Sequence, residues 1–205
     1  IRWKGQNLFT SEMSPEGWRA LNRLTREQGD IAVLCGLESA YVERPFAVHD
    51  AVLRHFYTKI EYVDRLEDVT APADKFTIYL PQHNAQQAYD TVYASQRSIY
   101  SVAVAGECWV DIMNPGVHKG AALQTLGQLW GLPSESMMAF GDTYNDAEML
   151  QTVRYGFLME NGSAPLRQKV PFLAPSNREA GVMQVLHRVL AQNGCVCPED
   201  FIPAH

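Results

Sequence analysis

The chain has 205 residues, 46% of them hydrophobic, 20% charged and 10% aromatic, and its 17 basic and 23 acidic side chains give a net charge of −6. That profile sits near the globular average and excludes a disordered, collagenous or coiled-coil class, while the length suits one large domain or two small ones. No Lys/Arg cluster offers a footprint for a nucleic-acid backbone, no apolar run approaches the roughly 20 residues that cross a bilayer, and no basic-then-apolar leader opens the chain, so a cytoplasmic protein without nucleic-acid or membrane partners is expected.

In chain order, Ser14, Pro15 and Glu16 supply an N-cap, a first helical residue and a first-turn acid. Trp18, Leu21, Leu24 and Gln28 continue at helical spacing until Gly29. Ile31 to Cys35 reads as a strand, Gly36 as a turn and Ala40 to Val42 as its partner. Pro45 opens a second helix with Val48, Val52 and Phe56 along one stripe. Phe76, Ile78 and Leu80 alternate with Thr77 and Tyr79, the period of a half-buried strand that Pro81 ends. Asn84 can cap a third helix whose inner face is Ala85, Ala88, Tyr89, Val92 and Tyr93. Tyr100–Val104 and Cys108–Met113 follow as two strands joined by a connection of hairpin length.

After Pro115-Gly116 the rhythm becomes strict alternation of helix and strand, the pattern of a parallel sheet with crossover helices, so a domain boundary is expected near residue 113. A helix from His118 to Trp130 carries Ala122, Leu123, Leu126, Leu129 and Trp130 on its predicted inner side and stops at Gly131. Met137–Phe140, Tyr155–Met159 and Phe172–Ala174 are predicted strands; Asn145–Thr152, Leu166–Val170 and a final stretch from Val182 to Leu190 are predicted helices. Cys35, Cys108, Cys195 and Cys197 show no zinc spacing and read as reduced thiols, the last two in a fraying tail.

The segment Phe140-Gly141-Asp142-Thr143-Tyr144-Asn145-Asp146 runs from an apolar strand into a helix, where ligands collect in open parallel sheets. Asp142 and Asp146 lie four residues apart in a turn that can aim both carboxylates at one spot. Such an oxygen-only set suits Mg²⁺, which completes its shell with water and substrate phosphate. Asn145 can offer an amide donor beside them. The same residues also serve as ordinary helix caps bonded to their own backbone. Lys119 stands in the first turn of its helix, where the macrodipole disfavours a cation; an anion held there accounts for it, and so does simple solvation. His118 beside it reads as a structural or exposed histidine rather than an acid or base.

Val117-His118-Lys119-Gly120, followed by Gly141-Asp142-x-x-Asn145-Asp146-x-x-Met149-Leu150, resembles the third and fourth motifs of haloacid-dehalogenase-like (HAD) hydrolases, and within them is most similar to the Cof-type phosphatases. Cys35 to Tyr41 and Glu61 to Asp64 look like cap-domain segments, and Asp111 to Gly116 like the return from cap to core. Met159-Glu160-Asn161 and Ser176-Asn177 resemble later core turns, with Arg178 where close relatives tend to carry a second Asn. The resemblance implies an α/β fold: a Rossmann-like HAD core of which residues 113–205 are the C-terminal part, with an inserted α+β C2-type cap over residues 1–112. It further implies that Lys119 neutralises the transferring phosphoryl group, Asp142 binds Mg²⁺, Asn145 contacts phosphate, and Asp146 supports metal and lysine. The reaction implied is hydrolysis of a small phosphomonoester, a sugar phosphate or flavin-pathway intermediate, through an aspartyl-phosphate.

The aspartate nucleophile of that mechanism belongs to a DxDGT-like motif that these 205 residues do not contain. It is expected upstream in the same polypeptide, on a core segment that precedes the cap. A second chain supplying that segment and a non-catalytic phosphate-binding or regulatory protein are the competing expectations, and a phosphosugar mutase is a third reading of the scaffold. Tyr41, Tyr57, Tyr62 and Tyr79 could stack on a substrate ring but are expected to be core or surface filler.

Overall fold

Ser14 accepts a hydrogen bond from the Gly17 N–H and Gly29 closes the far end at φ 75°, so α1 runs Pro15–Gln28 between the caps that the sequence announces. A two-residue-per-strand hairpin, β1 (Arg2–Trp3) with β2 (Gln6–Asn7), precedes it. The computed structural model describes all residues 1–205 and divides them into two units, Ile1–Val117 and His118–His205. Asn114 belongs to the first unit, where its side-chain amide donates to the backbone carbonyl of Glu12 at 2.8 Å.

In the first unit six strands form one sheet: β3 (Ile31–Gly36), β4 (Ala40–Glu43), β5 (Ile60–Val63), β6 (Ala73–Tyr79), β7 (Ser101–Val104) and β8 (Trp109–Met113), ordered β5-β4-β3-β6-β8-β7. All neighbours are antiparallel except β4 and β5. The two-residue period sorts the sheet's side chains into two cores. Leu34, Phe76, Ile78, Val110 and Ile112 meet Trp18 and Leu21 of α1 and Ala85 and Ala88 of α3 (Ala85–Asp90) on one face. Ile31, Val33, Tyr79 and Trp109 meet Leu53 of the short α2 (Asp50–Leu53) on the other.

Two expectations fail here. The helix predicted from Pro45 is a 3-10 turn over Arg44–His49 followed by the four residues of α2, and its supposed inner stripe faces outward, Val48 being 83% and Phe56 62% exposed. Leu53, off that stripe, is the residue of the segment that reaches the core. The helix after Asn84 ends at Asp90 instead of continuing to Tyr93, and a 3-10 turn over Ala94–Ser98 follows. Of the four tyrosines considered for ring stacking, Tyr79 and Tyr57 pack around Trp109, Tyr41 packs against the α1-side core, and Tyr62 donates its hydroxyl to Asp50 at 2.7 Å.

The second unit has the alternation the sequence predicts. β9 (Met138–Gly141), β10 (Tyr155–Met159) and β11 (Phe172–Ala174) are parallel, and β12 (Ile202–Pro203) adds antiparallel to β11, giving the order β12-β11-β10-β9 with β9 at one end. Helices α4 (Lys119–Trp130), α5 (Ala147–Thr152) and α6 (Gly181–Ala191) connect and cover them. The tail does not fray: Phe201 is buried with Phe157 and Phe172, while Cys195 and Cys197 stay free and exposed.

The inner face of α4 differs from expectation, since Leu129 and Trp130 are 54% and 46% exposed. Leu123 packs against the core of this unit, the buried Gly120 lets the helix approach α5, and the buried Gly127 lets its own C-terminal turn close. A Cβ on Gly120 would lie 2.8 Å from the Glu148 carbonyl on α5, and one on Gly127 would lie 2.8 Å from the Leu132 carbonyl. Close approach at Gly120 and the packing of Leu123 therefore decide which face packs, and Leu129 and Trp130 are left outside. No helix is long and apolar enough to cross a membrane.

Candidate active site

β9 delivers the chain to Gly141, and the loop that follows folds back over it: a Cβ at Gly141 would collide with the side chain of Asp146. Asp146 is thereby buried, 4% exposed, at the join between a 3-10 turn (Tyr144–Asp146) and α5. Its Oδ2 accepts the N–H groups of Asp142 at 3.0 Å and Thr143 at 3.2 Å, and its Oδ1 accepts from Lys119 Nζ at 2.5 Å. Burial pushes the Asp146 carboxyl up, but the Lys119 ammonium and the two backbone donors outweigh it and hold the group below the ordinary carboxylate range.

Lys119 opens α4, and His118 is that helix's N-cap, its Nδ1 accepting the Ala121 N–H at 3.2 Å. His118 is thus structural, in line with the sequence reading. The Lys119 side chain is half exposed, so one face of its ammonium is paired with Asp146 while the rest remains open. The dipole conflict at this helix start is met by the buried carboxylate.

Asp142 is the opposite of Asp146: its carboxylate is exposed and has no protein partner, while its backbone is held at both ends. The N–H goes to Asp146 and the carbonyl accepts from Ser163 N–H at 2.8 Å. Asn161 in turn accepts the Asn177 N–H at 2.9 Å, and Ser176 caps the turn that carries the exposed Arg178. The loops after β9, β10 and β11 are therefore tied in series at the carboxyl ends of parallel strands, the location where such sheets bind ligands. Asn145 sits in the same turn, its Oδ1 accepting from the Thr143 hydroxyl at 2.5 Å. The structure thus brings together Lys119, Asp142, Asn145 and Asp146. Thr143 and Ser163 support them without having been singled out by sequence, although the Thr143-x-x-Asp146 spacing is a legible capping box, and Asn161 lies in a turn that the motif resemblance marked without giving it a role.

The donor set suits a hard cation only in part. Asp142 offers an unengaged carboxylate, and Mg²⁺ is held by one or two carboxylates with water and phosphate oxygens completing the shell. Both Asp146 oxygens already accept hydrogen bonds, and no group of three or more His, Cys, Asp or Glu side chains gathers as a closed metal cage. A cation shared with solvent and substrate is what these residues fit.

Comparison with known proteins decides the family. Residues 1–186 match the haloacid dehalogenase-like hydrolase family. The chain belongs to the haloacid dehalogenase-like hydrolases. It is 30% identical over 190 residues to the 5-amino-6-(5-phospho-D-ribitylamino)uracil phosphatase YbjI of Escherichia coli, an alignment covering 91% of this chain and 70% of that protein. An HMP-PP phosphatase of E. coli matches at 45% identity over 69 residues, 34% of this chain and 27% of that one. Among solved structures, a protein of Streptococcus mutans superposes with a TM-score of 0.82 at 26% identity, covering 92% of this chain and 72% of that one. The HAD subclass IIB sugar phosphatase BT4131 superposes with a TM-score of 0.75 at 16% identity over 88% of this chain and 68% of that one, a likeness of fold. The family resemblance read from the motifs thus holds, and this HAD-family chain falls among Cof-type phosphatases, hydrolases of phosphoric monoesters.

Proposed function

We propose that these 205 residues are part of a Mg²⁺-dependent cytoplasmic phosphatase that hydrolyses small phosphomonoesters, sugar phosphates or a flavin-pathway phosphate of the kind named for YbjI, through an aspartyl-phosphate. The observation that carries this reading is the division of labour between two carboxylates in one loop: Asp146 buried and paired with Lys119, Asp142 exposed and unengaged. In this reading the Lys119 ammonium neutralises the phosphoryl oxygens and Asn145 donates its amide to them. Asp146 holds Lys119 and, through the Asp142 N–H, the loop that presents Asp142. Asp142 is this chain's carboxylate for the metal, and Asp146 acts on the metal site by position. Bound Mg²⁺ would supply charge neutralisation at the phosphoryl group. Residues 1–112 are assigned as the cap that selects substrate and excludes water, and residues 113–205 as core.

The nucleophilic aspartate is assigned to polypeptide outside these residues, on a strand pairing with the open edge of β9. Two features support that placement: β9 ends its sheet although it belongs to a parallel set, and parallel sheets are normally covered on both faces and extended by further strands. Leu129, Trp130 and Leu132 lie exposed in the same unit. A protein that binds phosphate without turnover is the competing reading. Assay of the polypeptide that includes the β9-pairing strand, against a panel of phosphate esters, separates the two. Phosphate release that requires Mg²⁺ and falls about 100-fold or more in Lys119→Ala and Asp142→Ala is expected; undiminished turnover in both variants refutes the assignment.

A further inference from the structure

We infer that Thr143 is a positioning residue of the phosphate site, orienting the Asn145 side-chain amide so that its Nδ2 group, and not its oxygen, is presented to an anion. The inference rests on the reading of this loop as a phosphate site and adds a residue to it. A threonine hydroxyl has one proton to give and lone pairs to receive. Here the Thr143 hydroxyl gives its proton to Asn145 Oδ1 at 2.5 Å, while the Asp146 N–H goes to the Thr143 backbone carbonyl at 3.0 Å. Asn145 Oδ1 is the one protein group hydrogen-bonded to that hydroxyl.

The consequence falls on Asn145. An amide side chain carries an acceptor at one corner and two donors at the other, and nothing in its shape distinguishes the two orientations; only its partners do. With Oδ1 engaged by Thr143, the Nδ2–H₂ corner is left without a protein partner, on the loop that also carries the exposed Asp142 carboxylate and abuts the Lys119 ammonium through Asp146. Turned the other way, the amide would present an oxygen to a phosphate oxygen and leave the Thr143 proton unmatched. The Asp146 carboxylate accepts the Thr143 N–H at 3.2 Å, so the residue that holds Lys119 also anchors the threonine whose hydroxyl engages Asn145.

A role in capping alone would be served as well by glycine, which substitutes for threonine at an N-cap at little cost. Positioning would not, because glycine has no proton to donate. The test uses the 205-residue chain labelled with ¹⁵N at asparagine and titrated with inorganic phosphate, read at the Asn145 Nδ2 cross-peak, with thermal melts of each variant alongside. In the wild type that cross-peak is expected to shift with phosphate. Thr143→Ser, which keeps the hydroxyl that donates to Asn145, is expected to bind within about twofold of wild type, whereas Thr143→Gly and the isosteric Thr143→Val are expected to weaken binding about three- to tenfold, the range of one lost hydrogen bond. Either hydroxyl-free variant, folded and binding phosphate like the wild type, overturns the role of Thr143 and leaves the phosphate site standing. An Asn145 cross-peak that does not respond to phosphate in the wild type overturns the site and this inference together.

Discussion

Asp142 and Asp146 are four residues apart and chemically alike, yet their surroundings give them opposite work. Asp146, 4% exposed with three hydrogen bonds on its carboxylate, is a structural charge. Asp146→Ala is expected to lower stability by about 2–3 kcal/mol, since it strands the Asp142 and Thr143 N–H groups and unpairs Lys119. Asp142→Ala is expected to change it by less than about 0.5 kcal/mol, because the carboxylate has no partner to lose. Urea melts of the two variants check the contrast. The same asymmetry gives a pH signature. The folded Asp146 carboxyl sits below its ordinary value, so its stabilising contribution is complete above the unfolded value of about 4 and is lost as pH falls through the lower folded one. Melts between about pH 3 and 6 are expected to show an acid-side loss that Asp146→Asn removes; an identical profile in that variant would contradict the assignment.

The elements that hold the site depend on features with little hydrophobic signal. α4 carries Lys119 and is fixed by a cap and two glycines. His118→Ala removes the acceptor for the Ala121 N–H and is expected to cost about 1 kcal/mol, with His118→Ser restoring most of it. Gly120→Ala improves helix propensity by about 1 kcal/mol but drives a Cβ against the Glu148 backbone, and overpacking of about 1–3 kcal/mol is expected to win. A lowered urea midpoint for Gly120→Ala, and reduced phosphate binding as Lys119 shifts, would bear this out. α4's C-terminal end was legible in the sequence because Gly131 is a cap, whereas the capping role of His118 at its start and its packed face were not. Apolar size pointed to Leu129 and Trp130, whereas contact distance is set by Gly120 and Gly127. The segment after Pro45 misled for a related reason: three large apolar residues at helical spacing made a stripe, and the single Leu53 supplied the burial.

At the scale of the molecule, the apolar clusters do not cross the boundary at Val117/His118. Those of the first unit draw on residues before 113, and those of the second on residues after 122. Each unit thus has its own core. Residues 1–117 alone are expected to give a dispersed amide spectrum matching that of the same residues in the whole chain, and a collapsed spectrum would contradict the separation. The change from hairpin to alternating rhythm after Pro115-Gly116 made the parallel sheet legible, and the loop at its carboxyl end made the four site residues legible. The lacing of that loop by Ser163, Asn161 and Asn177 was not, although the turns carrying Asn161 and Asn177 were marked by the motif resemblance, because those bonds join the ends of three separate strands and each has as its donor a backbone N–H, which carries no sequence signal. The open edge of β9 belongs to the same category, since pairing order is not written in any one strand.

The central claim is that Lys119 and Asp142 serve one phosphate and one Mg²⁺. Calorimetric titration of the 205-residue chain with inorganic phosphate, with and without Mg²⁺, tests it most directly. Reciprocal linkage predicts that Mg²⁺ tightens phosphate binding in the wild type, that Asp142→Ala removes this enhancement while leaving the weaker binding, and that Lys119→Ala abolishes both. Phosphate affinity indifferent to Mg²⁺ and to both substitutions would contradict the account.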